Sequence, residues 1–375
     1  MSSDTQDQID RAGTILGARR VLRPDGVNAL QEALAQLAKP DDRGEAPPIA
    51  VLGRGTRIAD GIPFGPIDTV VTTAAMNRIT RFAPDDLTCG VEPGVTLAQL
   101  SATIEQHDLT FEPGPFPQAN ERSIGGLLGE APTSPRGFDR GALRSQVIGI
   151  HGVGASGAAF HAGGNVVKNV AGYDLCKLFV GSGGAFFVAA ELQLRLTPMP
   201  EACAWLESKP RPWSEAYALW RQTRDRLVDA RAVDLVFAPG GGAHVEVLLA
   251  GPPALVASLE RQPDFGVVAS GRESWHRAPP PPPTALALVR GRILPTSVGQ
   301  LGATLDQDTH ARFHLQGAFW LATEDMERVD FPPDAIVRPV RGVAPSTSGH
   351  SRVARRLKDV FGANLCPTRT AFDAS

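Results

Sequence analysis

The residues best suited to chemistry in this chain are glycines, and they cluster at the ends of predicted strands. Gly53 and Gly55 follow a compact apolar strand, Ile49-Ala50-Val51-Leu52, within Gly53-Arg54-Gly55-Thr56-Arg57. Such a loop can turn backbone N–H groups inward around an anion, as a pyrophosphate requires. It is not a dinucleotide fingerprint, because the third glycine and following helix are missing where Ile58-Ala59-Asp60-Gly61 leads into a turn. Nor does a Gly-Lys-Ser/Thr follow, as a nucleoside-triphosphate loop needs. Alone, Gly-Arg-Gly-Thr is better described as a tight turn.

Two further clusters change that balance. Ser123-Ile124-Gly125-Gly126 sets paired glycines where backbone can approach a flat ring or a phosphate. The stretch Gly163 to Asp174 combines glycines with Asn165, Lys168, Asn169, Tyr173 and Asp174. A turn does not need that assortment. A buried polar ligand does, since each side chain then satisfies a fixed donor or acceptor.

Other chemistry is thinner. Cys89, Cys176, Cys203 and Cys366 share no Cys-x-x-Cys spacing, so neither a zinc ribbon nor an iron–sulfur cluster is expected on this chain, and the thiols read as isolated buried groups. The eight histidines are dispersed. His310 and His314 are four apart but near a predicted strand, where that spacing does not define a ligand pair, so no metal is expected. His151 and His161 read as ordinary loop or strand residues. Arg290, Arg292 and Arg312 could clamp a carboxylate, and solvated strand-edge arginines explain them equally well. No residue stands out as the catalytic base.

The elements that must position these groups follow from length and pattern. A chain of 375 residues exceeds what one hydrophobic core usually serves, so two domains are expected. With 42% hydrophobic and 21% charged residues and a net charge of -3, it offers no field for nucleic acid or anionic lipid. The polar start lacks the basic and apolar stretches of a secretory signal, and runs such as Ala185 to Ala190 are too short to cross a bilayer. A cytoplasmic protein that meets a membrane only through partners is therefore expected.

Residues 1–14 read as a flexible tail. A strand near Arg19–Arg23 precedes a helix with Leu30, Leu34 and Leu37 at helical spacing and Asp25 as its N-cap. Thr96 is expected to cap a helix through Leu97, Leu100 and Ile104. Thr197-Pro198-Met199-Pro200 marks a domain boundary. Beyond it, two β-α-β-β passes predict a small sheet with helices on one face, interrupted by the proline linker Pro279–Pro283. A last helix is expected over Val353 to Phe361.

With these residues in view, Gly163 to Leu175 resembles the Gly-Gly-x-Val-x-Lys-Asn-Val-Ala-Gly-Tyr-Asp segment of the FAD-binding subunit of glycolate oxidase. That family belongs to the vanillyl-alcohol oxidase and p-cresol methylhydroxylase (PCMH) flavoprotein superfamily. Leu52 to Arg57 resembles its pyrophosphate loop, and Glu92 to Leu97 its strand-to-helix turn. Ser123 to Gly126 resembles its Thr-Val-Gly-Gly, and Gly141 to Gly149 its Gly-Ala-Val-Arg-Asp-Phe-Val-Leu-Gly. Arg356 to Phe361, with Asn364 and Pro367, resembles its C-terminal segment.

The resemblance implies an α+β chain: a two-subdomain PCMH-type FAD-binding domain over residues 15–199, a smaller ferredoxin-like α+β cap over 200–340, and a segment over 341–375 that packs back on the flavin domain. It implies non-covalent FAD held by Gly53, Arg54, Gly55, Thr56, Arg57, Ser123, Ile124, Gly125, Gly126, Lys168, Asn169, Gly172, Tyr173, Asp174 and Val188. Lys168 would place positive charge near the reduced flavin or its phosphates; a surface lysine is the plain alternative. Tyr173 and Asp174 would hold either the ligand or the loop. It also implies oxidation of glycolate or related 2-hydroxyacids, with a larger FAD-containing subunit and an iron–sulfur subunit as partners. The chain departs from the pattern at Ser145, over Glu130 to Arg140, and at Ala185-Phe186-Phe187, where a bulky ring replaces glycine. These departures favour one alternative, a flavin-free assembly subunit; another, a stand-alone flavin oxidoreductase acting on a small alcohol, would need a complete proton-transfer set in the cap.

Overall fold

A computed structural model describes residues 3–40, 44–56, 58, 66–113, 121–132, 143–164, 175–227, 229–240, 242–277, 286–341 and 364–366. The first surprise is at the start. Residues expected to be loose form helix α1 (Ser3–Ile15), with Thr5, Ile9 and Ala12 buried. Their spacing lays them on one helical face, and Ala12 packs with Leu16, Ala50, Leu52, Ile67 and Val70. The tail reading took polarity as looseness and missed this stripe.

The next elements build a parallel four-stranded sheet. Strands β1 (Arg20–Leu22), β2 (Ile49–Leu52), β3 (Thr69–Thr72) and β20 (Leu365–Cys366) lie in the order β1-β3-β2-β20. Residues 364–366 thus join this sheet, where Asn364 Nδ2 donates to the carbonyls of Leu37 and Pro47 at 3.2 and 3.3 Å. Helix α2 (Val27–Leu37) buries Leu30, Leu34 and Leu37. Its N-cap is Gly26 in extended backbone rather than Asp25, and no side chain caps it.

An antiparallel five-stranded sheet stands beside the first. It runs β4 (Ile79–Ala83), β5 (Thr88–Val91), β9 (Val188–Arg195), β7 (Val147–Val153), β8 (Ala159–Gly163). Helix α2 joins the two sheets, because Leu30, Leu34 and Leu37 share one core with Ile49 and Val71 on one side and Val153, Val188 and Ala190 on the other. Helix α3 (Leu97–Ile104) begins at Thr96 with a full capping box: Gln99 N–H donates to Thr96 Oγ1 at 3.1 Å and Thr96 N–H to Gln99 Oε1 at 2.9 Å. Short helices α4 (Ile124–Glu130), α5 (Leu143–Gln146) and α6 (Leu175–Phe179) complete the layer, and β6 (Leu109–Thr110) pairs with β10 (Thr197–Pro198).

The remaining strands form one nine-stranded antiparallel sheet. Its members are β11 (Ala202–Ser208), β12 (Arg211–Pro212), β13 (Ala230–Ala238), β14 (Gly242–Gly251), β15 (Phe265–Ser270), β16 (Ala287–Arg292), β17 (His310–His314), β18 (Ala318–Thr323) and β19 (Ile336–Arg341). The order β15-β11-β14-β13-β17-β18-β16-β19 is two copies of one pattern joined through β13 and β17. In each copy the strands stand fourth, first, third, second, the ferredoxin-like arrangement. Helices α7 (Trp213–Arg226), α8 (Pro253–Leu259) and α9 (Val298–Gly302) supply the helical layer.

That layer covers one face. Leu206, Val233, Leu235, Val245, Val247, Val289, Ala311 and Phe313 form a core with Ala216, Leu219 and Trp220 of α7. Because side chains alternate along a strand, the residues between them point the other way: Glu207, Asp234, Glu246, Arg290 and Arg312. An apolar face and a charged face follow from the same nine strands. Among the described residues no helix is long and apolar enough to cross a membrane.

Candidate functional site: a glycine-lined cleft

A cleft, partly open to solvent, lies between the two smaller sheets. Gly53, Arg54, Gly55 and Thr56 enter it at the end of β2, and Ser123, Gly125 and Gly126 enter at the start of α4. Pro93 enters from the turn after β5, and Ser182, Gly183 and Gly184 from the approach to β9. Backbone hydrogen bonds tie these loops together. Gly183 N–H donates to Gly129 C=O at 2.9 Å, Gly181 N–H to Leu128 C=O at 2.8 Å, and Gly125 N–H to Pro93 C=O at 2.8 Å.

Close approach explains why glycine stands at two of these points. A Cβ on Gly53 would lie 2.1 Å from Ser123 Oγ, and one on Gly125 would lie 2.7 Å from Pro93 Cβ. Ser123 is held where it is as the N-cap of α4, its Oγ accepting from Gly126 N–H at 3.3 Å. Gly53 C=O in turn accepts from Thr72 Oγ1 at 2.6 Å.

Arg54 supplies the charge. Its Nη2 donates to Thr5 Oγ1 of α1, while its Nε is buried with no hydrogen-bond partner among the described residues. A buried donor without an acceptor costs roughly 1–3 kcal/mol, so the position suits an anionic ligand such as a phosphate. Helix α1, missed as an element in the sequence, therefore backs the loop and holds its arginine.

The far wall carries a charge relay between the two halves of the molecule. Glu130, the last residue of α4, accepts from Arg122 through Oε2 and from Arg290 of β16 through Oε1. Arg122 and Glu130 line the cleft, and Arg290 reaches them from the charged face of the cap sheet. That face is thereby turned toward the cleft. Arg290 is engaged with a carboxylate here, so it is not a free clamp.

Sequence-expected residues divide clearly. Gly53, Arg54, Gly55, Thr56, Ser123, Gly125 and Gly126 come together in the lining. Ile124 and Val188 do not: Ile124 belongs to the core under α4, and Val188 packs with the leucines of α2. Strand alternation puts Phe187 and Ala189, the neighbours of Val188, into the lining instead. Arg57, Lys168, Asn169, Gly172, Tyr173 and Asp174 lie outside the described residues. Arg122, Glu130 and Gly129 were missed. Their signal is the placement of Arg122 and Glu130 at the two ends of one short helix.

Phe187 lines the cleft and is also anchored in the core beside it. Its ring packs against Phe179 and Phe160, with centroids 4.7 and 5.5 Å apart, in the core beside the cleft. Gly152 makes the room, since a Cβ there would lie 2.7 Å from the Phe187 ring.

A parallel sheet and an antiparallel sheet flank a glycine-lined, arginine-bearing cleft, and the nine-stranded sheet reaches it through Arg290, an arrangement suited to a cofactor that carries phosphate. Residues 18–174 match the family described as FAD binding domain, and FAD is the cofactor that this match supports. Over 154 residues the chain is 35% identical to glycolate oxidase subunit GlcD of Bacillus subtilis, which covers 41% of this chain and 33% of that protein. It is 32% identical over 152 residues to D-lactate dehydrogenase of Archaeoglobus fulgidus, covering 40% and 33% of the two chains. It is 32% identical over 124 residues to glycolate oxidase subunit GlcE of Escherichia coli, covering 33% and 35%. The matched stretch thus spans about a third of these relatives. In fold the chain is similar to alkyldihydroxyacetonephosphate synthase, with a TM-score of 0.66, 12% identity and coverage of 92% and 75%. Berberine bridge enzyme from Eschscholzia californica gives a TM-score of 0.59 at 14% identity, covering 82% and 71%.

Proposed function

We propose that this chain is the FAD-binding subunit of a glycolate oxidase-type complex that oxidises glycolate or a related 2-hydroxyacid to the 2-oxoacid. The observation that carries this reading is the cleft itself. Glycine backbones approach closely where a dinucleotide must lie, and Arg54 Nε is buried there without an acceptor. The relatives named as glycolate oxidase subunits and D-lactate dehydrogenase supply the substrate class.

FAD, when bound, supplies the two-electron acceptor. Gly53, Gly55 and Arg54 would take the pyrophosphate by backbone N–H groups and a guanidinium. Ser123, Gly125 and Gly126 would let the α4 start approach the cofactor. The cap would exclude water, held down by Glu130 between Arg122 and Arg290. The four cysteines lack cluster spacing, so onward electron transfer belongs to an iron–sulfur partner, alongside a larger FAD-containing subunit. We place the complex in the cytoplasm, reaching the inner membrane through its partners.

The test is an absorption spectrum of the purified chain after adding FAD and dialysing, followed by anaerobic glycolate or D-lactate. Flavin bands near ~450 nm that survive dialysis and bleach with the acid support the proposal. Retained flavin that neither acid bleaches, alone or with the partner subunits, overturns the substrate. A colourless protein that cannot be reconstituted overturns the redox role and favours an assembly subunit.

A further inference from the structure

The charged face of the cap sheet carries more negative charge than its neighbours balance. Glu207 on β11 stands directly opposite Glu246 on β14, and Glu246 stands opposite Asp234 on β13. Like charges paired across strands are destabilising unless something sits between them. Arg312 supplies part of the answer. Its Nη1 donates to Asp234 Oδ2 at 2.9 Å and to Glu246 Oε2 at 2.8 Å, and its Nη2 donates to Glu246 Oε1 at 3.1 Å. One guanidinium thus meets two carboxylates, and Glu207, whose charge it does not reach, is left facing Glu246.

His244 occupies the gap. Its Nε2 lies 3.4 Å from Glu246 Oε1 and 3.6 Å from Glu207 Oε1. Both separations are long for a charged hydrogen bond, which runs about 2.7–2.9 Å. They match instead the ligand-to-ligand edge of a tetrahedron around a cation with bonds of about 2.1 Å, an edge of roughly 3.4 Å. The three ligand atoms all lie within 4.8 Å of one another. Asp234 has two partners, Arg312 and His314, the latter with Nδ1 2.9 Å from Oδ1, so the negative charge least balanced on this face lies at Glu207 and Glu246, where a divalent cation would sit.

We propose that Glu207, His244 and Glu246 form a binding site for one divalent transition cation, zinc foremost. One imidazole nitrogen and two carboxylate oxygens suit zinc or manganese better than the all-oxygen shell that magnesium and calcium take. Three protein ligands leave a coordination position for water or an anionic ligand. Arg312 holds Glu246 from behind and fixes the carboxylate that ligates, as outer-shell partners do. The sequence holds half the signal, since His244 and Glu246 are two apart on a strand and so share a face. Glu207 joins them by strand pairing alone. The site was not expected from the sequence, where the dispersed histidines, His310 and His314 included, predicted no metal.

The test uses the full chain treated with a chelator and titrated with zinc chloride by calorimetry, with cobalt(II) absorption as a second readout. Neither depends on FAD, so failure here is separate from failure of the flavin assignment. One equivalent is expected to bind, with tetrahedral cobalt bands. His244→Ala and Glu207→Gln should each weaken binding by about tenfold or more. Glu207 is partly exposed, so Glu207→Gln is expected to fold, and unchanged circular dichroism checks this. A His151→Ala/His161→Ala double variant removes the other close imidazole pair, whose ring centroids are 4.4 Å apart, and should bind as before. The proposal is overturned if the wild type takes no zinc, if both cap variants bind it undiminished, or if the double variant abolishes binding.

Discussion

Ser123 Oγ stands in the space that a Cβ on Gly53 would require, 2.1 Å from its ideal position. Two segments seventy residues apart therefore meet with nothing between them, and the contact sets the floor of the flavin cleft. Gly53→Ala should push Ser123 off its cap on α4, costing about 1 kcal/mol of stability. FAD affinity should fall by about tenfold, which corresponds to ~1.4 kcal/mol. Adding Ser123→Ala should recover part of that affinity, since Ser123 Cβ and Gly126 N then remain at 3.4 Å. Quenching of flavin fluorescence reads both effects, and a single variant that binds FAD like the wild type would refute the contact.

Glu130 joins the flavin domain to the cap through Arg122 and Arg290. Glu130→Ala leaves Arg122 buried without its carboxylate, a loss of about 3 kcal/mol for a desolvated pair. Urea denaturation gives the magnitude. Limited proteolysis should show faster cleavage between cap and flavin domain, while an unchanged digestion rate would mean the latch does not hold the two together.

Arg312 is the counter-charge of the cap face. Its replacement by Met leaves Asp234 and Glu246 buried without it, and should cost about 3–5 kcal/mol at neutral pH. Burial resists ionisation of Glu246, but the neighbouring His244 and the charge and hydrogen bonds of Arg312 prevail and hold its carboxyl below the ordinary value of 4.5. A depressed carboxyl contributes stability that is fully present above 4.5 and is lost as pH falls through the lowered value. The wild type should therefore lose stability on acidification below that point, and the gap to Arg312→Met should narrow. Thermal melts of both proteins at neutral and acidic pH measure the gap, and a constant difference would contradict the assignment.

Ile9 is fully buried on α1, beside the loop that α1 supports. Ile9→Ala should cost about 2–5 kcal/mol, the range for truncating a core isoleucine. FAD affinity should fall with it, because α1 carries Thr5, the partner of Arg54. An unchanged melting temperature would mean that the helix does not dock.

The Cys89 thiol is raised by burial to about 12, so it holds almost no thiolate near pH 8. Thiol reagents followed by peptide mapping should leave Cys89 unmodified in the native protein and label it in urea. Labelling of the native protein at the rate of a free thiol would show that this core opens.

The sequence alone determined the elements whose signals are local. Leu30, Leu34 and Leu37 announce α2 by their spacing, and Thr96 with Gln99 announces α3 by its cap. The glycines at 53, 55, 125 and 126 line the cleft; the pair at 53 and 55 alone reads as a turn, and only together with the later clusters do they point to a ligand. Within the cap, the strands that went unread are the two-residue β12 and the strands β15 and β19, the last two being the edges of the nine-stranded sheet. An edge strand pairs on one side only, so its pattern is weak and tertiary pairing decides it. Asp25 looked like a cap, yet Gly26 in extended backbone took that place. Tertiary structure also decided that α1 docks, that Glu130 reaches Arg290 across 160 positions of chain, and that Glu207 meets Glu246. Each of these joins residues distant in sequence through strand pairing or domain closure, and no local periodicity records which distant partner a side chain will meet.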